Sequence, residues 1–332
     1  MKDIHLVIPD LFLPGDFVPV SLTGLLLPAL EKMLARGHAE TLDAVPFENW
    51  LCEIFEVPRH ANAPIAPVSA AFDGLDEGCW LRADPVHLSL QRDQLVLQSH
   101  LEIDPDEAGQ FCASLNKYFA GQDMEFFAPH SQRWYVRLNQ SAGIITVPLS
   151  QAAGRNVRKL LPKGGEAMHW HRALNEIQML LFAHPVNEAR EARGELPVNS
   201  VWLWGDGESL ALRQIYGGVS SDDTLTRMFA AASDTPFMEW TEQWRGNESN
   251  GRQLLVFAGL QQALQDGDLA TWSAALQDFE TGYAQPLWQA LRSGEISRLQ
   301  VDVLGEDNIR KILLTRADTW AFWRRGKPLA EY

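Results

Sequence analysis

The stretch HPVNEAREARGELPVNSVWLWGDG, residues 184–207, decides how the rest of this chain is read. Residues 201–204 form a short continuous apolar run, the pattern of a buried strand, and Gly205-Asp206-Gly207 turns the chain at its end. A long helix is expected before the stretch, over residues 165–183. His184 stands at the junction, where hydrogen bonding from its side chain would order the loop ahead of Pro185. Asp206 lies at a strand end, where α/β proteins bind ligands, although a plain turn residue fits that position equally well.

Working outward, residues 5–9 form a buried first strand that ends at Asp10. A strongly apolar helix is expected over 22–35, closed by Gly37. The prolines of PRHANAPIAP, residues 58–67, mark a linker. CWLRADPVHLSL (79–90) and QLVLQSHL (94–101) alternate as two strands about an Arg92-Asp93 turn. Asp104-Pro105-Asp106-Glu107 reads as a helix start with a capping box. Residues 133–138 and 143–149 look like a further pair of strands. Downstream, strands are expected at 252–260, 299–304 and from 311, with one long amphipathic helix over 268–292. Strand–helix alternation in the first 60 and last 130 residues, about 150 residues being a usual domain size, predicts an α/β domain of 1–64 and 165–332. Its central, mostly parallel sheet carries helices on both faces. Residues 65–164 are expected to be an inserted, smaller α+β domain.

The chain has 332 residues, 46% hydrophobic and 21% charged, enough apolar content for one large core or two smaller ones. The formal net charge of −15 repels phosphate backbones and anionic lipid, which argues against nucleic acid and membrane as partners. Cys52, Cys79 and Cys112 form no CxxC, which suits a reducing compartment without structural zinc. The start is too acidic for a signal peptide, and no apolar run approaches a membrane span. A cytoplasmic location is therefore expected.

Within 184–207, the residues His184-Pro185-Val186-Asn187, Arg190, Gly194, Pro197, Asn199 and Val201 to Gly207 resemble a signature of archaeal-type, cofactor-independent phosphoglycerate mutases. Weaker landmarks agree: Leu81-Arg82-Ala83-Asp84 with an arginine-containing strand, Leu115-Asn116 with a helix end, and Gln132-Arg133-Trp134 with a strand, through Arg133. The resemblance implies an alkaline phosphatase-like fold with a smaller inserted substrate domain. It also implies phosphoryl transfer through a serine flanked by two divalent metals, which clamp the attacking and leaving oxygens of an in-line displacement.

Measured against that implied chemistry, the chain is short of donors. Asp10 can fill the place of the first metal ligand. The nucleophilic serine belongs within about 45–58, yet no Ser or Thr lies between Thr41 and Ser69. Cys52 is the chemical substitute, although a cysteine in an apolar helical run is usually inert core. Gln261 and Gln265 fall where an Asp and a His belong, Asp302-Val303 where an Asp-His pair belongs, and Thr315-Arg316-Ala317-Asp318 near the last histidine. No histidine follows His184 in these 332 residues. At most Asp10 and Asp302 remain, so no metal and no cofactor are expected.

The resemblance makes Arg82, Arg133 and Arg190 candidates for an anion pocket, with Asp84, His184, Asn187 and Asp206 as neighbouring ligand-binding candidates. A guanidinium fork suits oxyanions, and salt bridging is the plain alternative for each arginine. His169 and His171 point to opposite sides of a helix and cannot share a metal there. Trp240 and Trp244, one helical turn apart, suit core or interface, and the basic stretch 323–327 suits a solvated end. Three readings stay open. One is a phosphoglycerate mutase-like protein without metal-dependent catalysis, binding a small phosphorylated or carboxylated metabolite or a protein partner in a regulatory role. Another is an active mutase or phosphatase with a rearranged site. The last is an interaction protein whose old cleft is filled by Glu53, Gln261, Gln265 and Trp204.

Overall fold

The computed structural model describes residues 2–13, 24–58, 62–246, 251–265 and 267–332. Strand β1 (Asp3–Pro9) is buried along nearly its whole length and ends at Asp10, which adopts a left-handed φ of 56°. Helix α1 (Pro28–Arg36) begins later than expected; residues 22–23 of the expected helix lie outside the described residues. Pro28 suits a first helical position because its missing N–H needs no partner there. The Ala29 and Leu30 N–H groups donate to the Glu280 carboxylate at 2.8 and 3.0 Å. Strand β2 (His38–Asp43) was not legible in the pattern, because it is an exposed edge strand with no apolar face.

Helix α2 (Phe47–Ile54) is followed by α3 (Ile65–Phe72), which starts inside the stretch expected to be a linker. Residues 59–61 of that stretch lie outside the described residues. Pro64 and Pro67 permit the helix because they occupy its cap and first turn, where no intrahelical N–H bond is lost. Strands β3 (Cys79–Gln91) and β4 (Gln94–Gln98) form the expected hairpin, with Arg92 at φ 54° in the turn. Helix α4 (Pro105–Tyr118) opens with the expected capping box of Asp104 and Glu107. Strand β5 (Met124–His130) pairs antiparallel with β6 (Arg133–Leu138). The partner expected at 143–149 is instead irregular chain, tied by a bridge between Ile145 and Lys163. Helices α5 (Leu149–Ala152), α6 (Ala167–Phe182) and α7 (Pro185–Ala192) lead to β7 (Ser200–Glu208).

The remaining elements are β8 (Gly218–Ser221), α8 (Thr224–Ala232), β9 (Phe237–Glu239), β10 (Arg252–Val256), α9 (Gly259–Gln265), α10 (Leu269–Phe279), α11 (Gln285–Ser293), β11 (Arg298–Leu304) and β12 (Asn308–Thr315). The single helix expected over 268–292 is α10 and α11 joined by a π-helical turn at Glu280–Ala284. Pro286 has no N–H for the Gly282 carbonyl four residues back. That carbonyl accepts the Trp244 N–H at 2.9 Å instead.

The chain divides into two compact units, residues 1–47 with 212–332, and residues 48–211. In the first, a seven-stranded sheet runs β2-β12-β11-β1-β10-β8-β9. The neighbours from β11 to β9 are parallel, and β12 pairs antiparallel with both β11 and β2. This is the expected α/β class. Its main core packs Ile4, Leu6, Ile8, Val301 and Val303 with Leu30, Met33, Leu276 and Leu287 of α1, α10 and α11. The second unit runs well beyond the 65–164 expected. The reason is β7, expected in the large sheet, which pairs antiparallel with β3 from Ser200↔Val86 to Glu208↔Cys79. Helix α6 joins the same core through Trp170, Ile177 and Leu181.

Candidate functional site

Strand alternation sorts the second unit's sheet into two chemical faces. Leu81 and Ala83 of β3, Trp134 and Val136 of β6, and Val201 and Leu203 of β7 enter an apolar core with Phe111 of α4 and Trp170 of α6. Trp80, Arg82, Tyr135 and Trp204 belong to the other face, where Trp80 and Tyr135 pack with Ala66 and Ala70 of α3. The Arg82 guanidinium carbon lies 5.2 Å from the Tyr135 ring centre and 5.1 Å from that of Trp204. Aromatic faces attract a cation desolvated in this way.

Arg82 donates from Nε (3.0 Å) and Nη2 (2.7 Å) to one oxygen of Asp84. That oxygen also accepts the Trp134 backbone N–H at 3.3 Å, and the other Asp84 oxygen accepts the Trp204 indole N–H at 2.7 Å. Asp84 is 1% exposed and Arg82 6%. Burial pushes the Asp84 carboxyl pKa up, and the Arg82 charge and the Trp204 hydrogen bond oppose that push.

Arg133 forms a second pair, donating from Nε (2.9 Å) and Nη2 (2.7 Å) to the two oxygens of Asp73, the residue that closes α3. The Tyr135 hydroxyl donates to the same carboxylate at 2.6 Å. Burial pushes the Asp73 carboxyl up, but the hydrogen bonds of Arg133 and Tyr135 and the nearby Arg133 and Arg82 charges hold it below the usual range. Among the described residues, neither Arg82 nor Arg133 uses its Nη1 in a hydrogen bond. Sequence reasoning singled out Arg82, Asp84 and Arg133 and missed Asp73 and Tyr135. Asp73-Gly74 carried only the signal of a helix end.

The remaining candidates lie elsewhere in the unit. His184 caps α7: its Nδ1 accepts the Val186 N–H at 3.3 Å, while Nε2 lies 2.9 Å from Ser114 Oγ. Its ring lies 4.6 Å from that of Phe111, on the apolar-core side. The Asn187 amide donates to the Leu181 and Val198 carbonyls and accepts the Val198 N–H. Arg190, 1% exposed, donates to the Leu196 and Glu102 carbonyls and to Glu107. Asp206 accepts from Ser141 Oγ (2.6 Å) and the Ala142 amide, tying down the chain after β6. These four hold loops and helix ends, and the structure does not bring His184, Asn187 or Arg190 to the Arg82 face.

In the first unit, Asp302 sits inside β11, opposite Val7. It is fully buried, with His5 Nε2 at 2.9 Å and the Gln300 amide at 2.9 Å. Asp10 lies three positions further along the sheet, about 10 Å at ~3.3 Å per residue. Asp222, after β8, accepts the Ala258 N–H at 2.7 Å at the start of α9. Burial and then the Glu48 and Glu53 charges push the buried Cys52 thiol up to about 12, which removes the thiolate that nucleophilic attack needs. Gln261 is half-buried, and Gln265 and Glu53 are exposed. Among the described residues, no group of three or more His, Cys, Asp or Glu could hold a metal ion. Nor is any helix there long and apolar enough to cross a membrane.

A two-unit α/β protein whose smaller unit carries a buried arginine–carboxylate cluster is the class that this geometry defines. Within it, the chain is similar to 2,3-bisphosphoglycerate-independent phosphoglycerate mutases. It is 27% identical over 158 residues to a Geobacter sulfurreducens protein named as a probable one, covering 46% of this chain and 40% of that protein. It is 26% identical over 208 residues to the Methanosarcina mazei enzyme, covering 57% and 51%. The matched part thus spans about half the length of these curated relatives. A solved Pyrococcus horikoshii protein shares the fold with a TM-score of 0.55 at 14% identity, over 99% of this chain and 91% of that one. No family model matches the chain.

Proposed function

We propose that this phosphoglycerate mutase-like chain has lost two-metal phosphotransfer and instead binds a small phosphorylated or carboxylated ligand in a regulatory role. The observation that carries this reading is the missing nucleophile. Residues 42–68 contain no hydroxyl side chain, and the one thiol among them, Cys52, is held protonated. The metal ligands fare no better. Two clustered ions need several hard oxygen or imidazole donors aimed at one point. Asp302 is committed to His5 and Gln300 about 10 Å of strand away from Asp10. By the resemblance, the amides Gln261 and Gln265 take the places of charged ligands. Among the described residues, the donors do not fit a pair of divalent ions.

Support for ligand binding comes from the second unit. Arg82 and Arg133 keep Nη1 donors outside their carboxylate pairs, and the Tyr135 and Trp204 rings raise the worth of the Arg82 charge. Neither nucleic acid nor a bilayer suits a chain of formal charge −15, and three unpaired cysteines suit the reducing cytoplasm.

The test is turnover of 2- and 3-phosphoglycerate with added magnesium, manganese or zinc, alongside metal analysis of protein purified without chelator. No turnover above buffer, and a thermal shift with 3-phosphoglycerate that added salt weakens, is the expected result. Two bound ions per chain together with mutase or phosphatase turnover would refute the reading.

A further inference from the structure

Resting on that ligand-binding reading, we infer that Asp73 is a resident counter-ion occupying a carboxylate seat on Arg133 and Tyr135, and that a small carboxylate binds there by displacing it. Two side chains of the same strand, β6, aim three donors at one carboxylate: Arg133 Nε at 2.9 Å, Arg133 Nη2 at 2.7 Å and Tyr135 Oη at 2.6 Å. A planar fork plus a hydroxyl matches the two oxygens of a carboxylate, with one oxygen doubly held.

The two carboxylates of the cluster differ in how they are mounted. Asp84 sits two residues from Arg82 on the same strand, is 1% exposed, and has both oxygens bonded to the sheet itself. It is part of the wall. Asp73 reaches the seat from outside the sheet, at the last turn of α3, and is followed by Gly74 at φ 82°. A left-handed glycine supports a sharp reversal that no other residue adopts as cheaply. The Arg133 side chain is 20% exposed and that of Asp73 7%, so the pair lies nearer solvent than the Arg82–Asp84 pair at 7% and 1%.

Charge sets what the occupant must be. With Asp73 in place, two guanidinium groups face two carboxylates. Swinging Asp73 out leaves Arg82 and Arg133 against Asp84 alone, an excess positive charge in a partly desolvated cluster, and an incoming anion restores the balance. Asp73 thereby sets both the affinity and the class of the ligand, because any occupant must outcompete a tethered carboxylate.

The experiment titrates the full-length chain and Asp73→Asn with D-glycerate, inorganic phosphate and 3-phosphoglycerate by calorimetry. Removing a tethered competitor of roughly millimolar effective concentration is expected to tighten D-glycerate and 3-phosphoglycerate about tenfold or more. Adding Arg133→Gln to that variant is expected to abolish the gain. Tightening for phosphate alone would overturn the carboxylate assignment. Equal 3-phosphoglycerate affinity for both proteins would overturn the role of Asp73 and leave ligand binding standing. No binding to either protein would sink both. Should Asp73→Asn fail to fold, hydrogen exchange on the unaltered chain decides. Saturating 3-phosphoglycerate is expected to speed exchange of the amides at 73–77, and unchanged exchange in the bound protein would overturn the displacement.

Discussion

Arg82 shows how much one side chain carries when it is buried with its counter-ion. Asp84 has no solvent to fall back on, so Arg82→Ala strands a carboxylate among Trp204, Trp134 and Tyr135. The expected cost is about 3–5 kcal/mol, the range for breaking one side of a buried ion pair. Replacing both partners, Arg82→Met with Asp84→Leu, is expected to cost clearly less, because nothing charged is then left behind. Urea unfolding of the three proteins separates these outcomes. At the same cluster, Trp204→Phe keeps most of the ring but removes the N–H that satisfies the second Asp84 oxygen. About 1–3 kcal/mol is expected from the unmet acceptor, read from the same unfolding curves.

Helix ends are the elements most open to test. α7 depends on His184, whose Nδ1 accepts the Val186 N–H and whose ring packs on Phe111. Burial lowers the His184 pKa, opposed by a hydrogen bond to the Gln110 backbone. The folded pKa therefore lies below the unfolded value of about 6.5, and the unfolded chain takes up the proton first. The stabilising contribution is complete above that value and is lost as pH falls through the folded pKa. Protonation also removes the lone pair that caps the helix. Melting curves between neutral and mildly acidic pH are expected to fall less steeply for His184→Asn, which keeps a capping oxygen and does not titrate there. α1 has a longer-range cap, since Glu280, fully buried in the π-helical turn, accepts from Ala29 and Leu30. Glu280→Ala is expected to cost about 2–6 kcal/mol, at about 1–3 for each of the two unmet N–H groups. It should also speed hydrogen exchange in the first turn of α1, while the second unit is left unchanged.

For the whole molecule, the proposed loss of the metal centre makes a prediction about stability as well as activity. A resident divalent pair would stabilise the folded chain by mass action, and a chelator would lower its melting temperature. Scanning calorimetry with and without EDTA is expected to give the same midpoint; a drop would contradict the proposal. The α/β class was legible because β1, β10 and β11 are apolar runs separated by helical stretches, which is how buried parallel strands read. The 79–98 hairpin and the capping box at Asp104 were legible because their signals are local. β2 was invisible, as its residues are exposed and carry no alternation. The strand at 201–204 was read correctly as a strand and assigned to the wrong sheet. An apolar run states that it is buried but not against which neighbour.

By itself, the amino-acid order determined the α/β class, the absence of a hydroxyl nucleophile between Thr41 and Ser69, and the arginines that merited attention. Those are properties of composition and of periods a few residues long. Only the tertiary structure decided that Asp302 turns to His5, nearly three hundred residues away, and that Asp73 lies in the arms of Arg133 and Tyr135. Those partnerships follow from strand register and helix placement, which set whose side chain meets whose and leave no trace in local spacing.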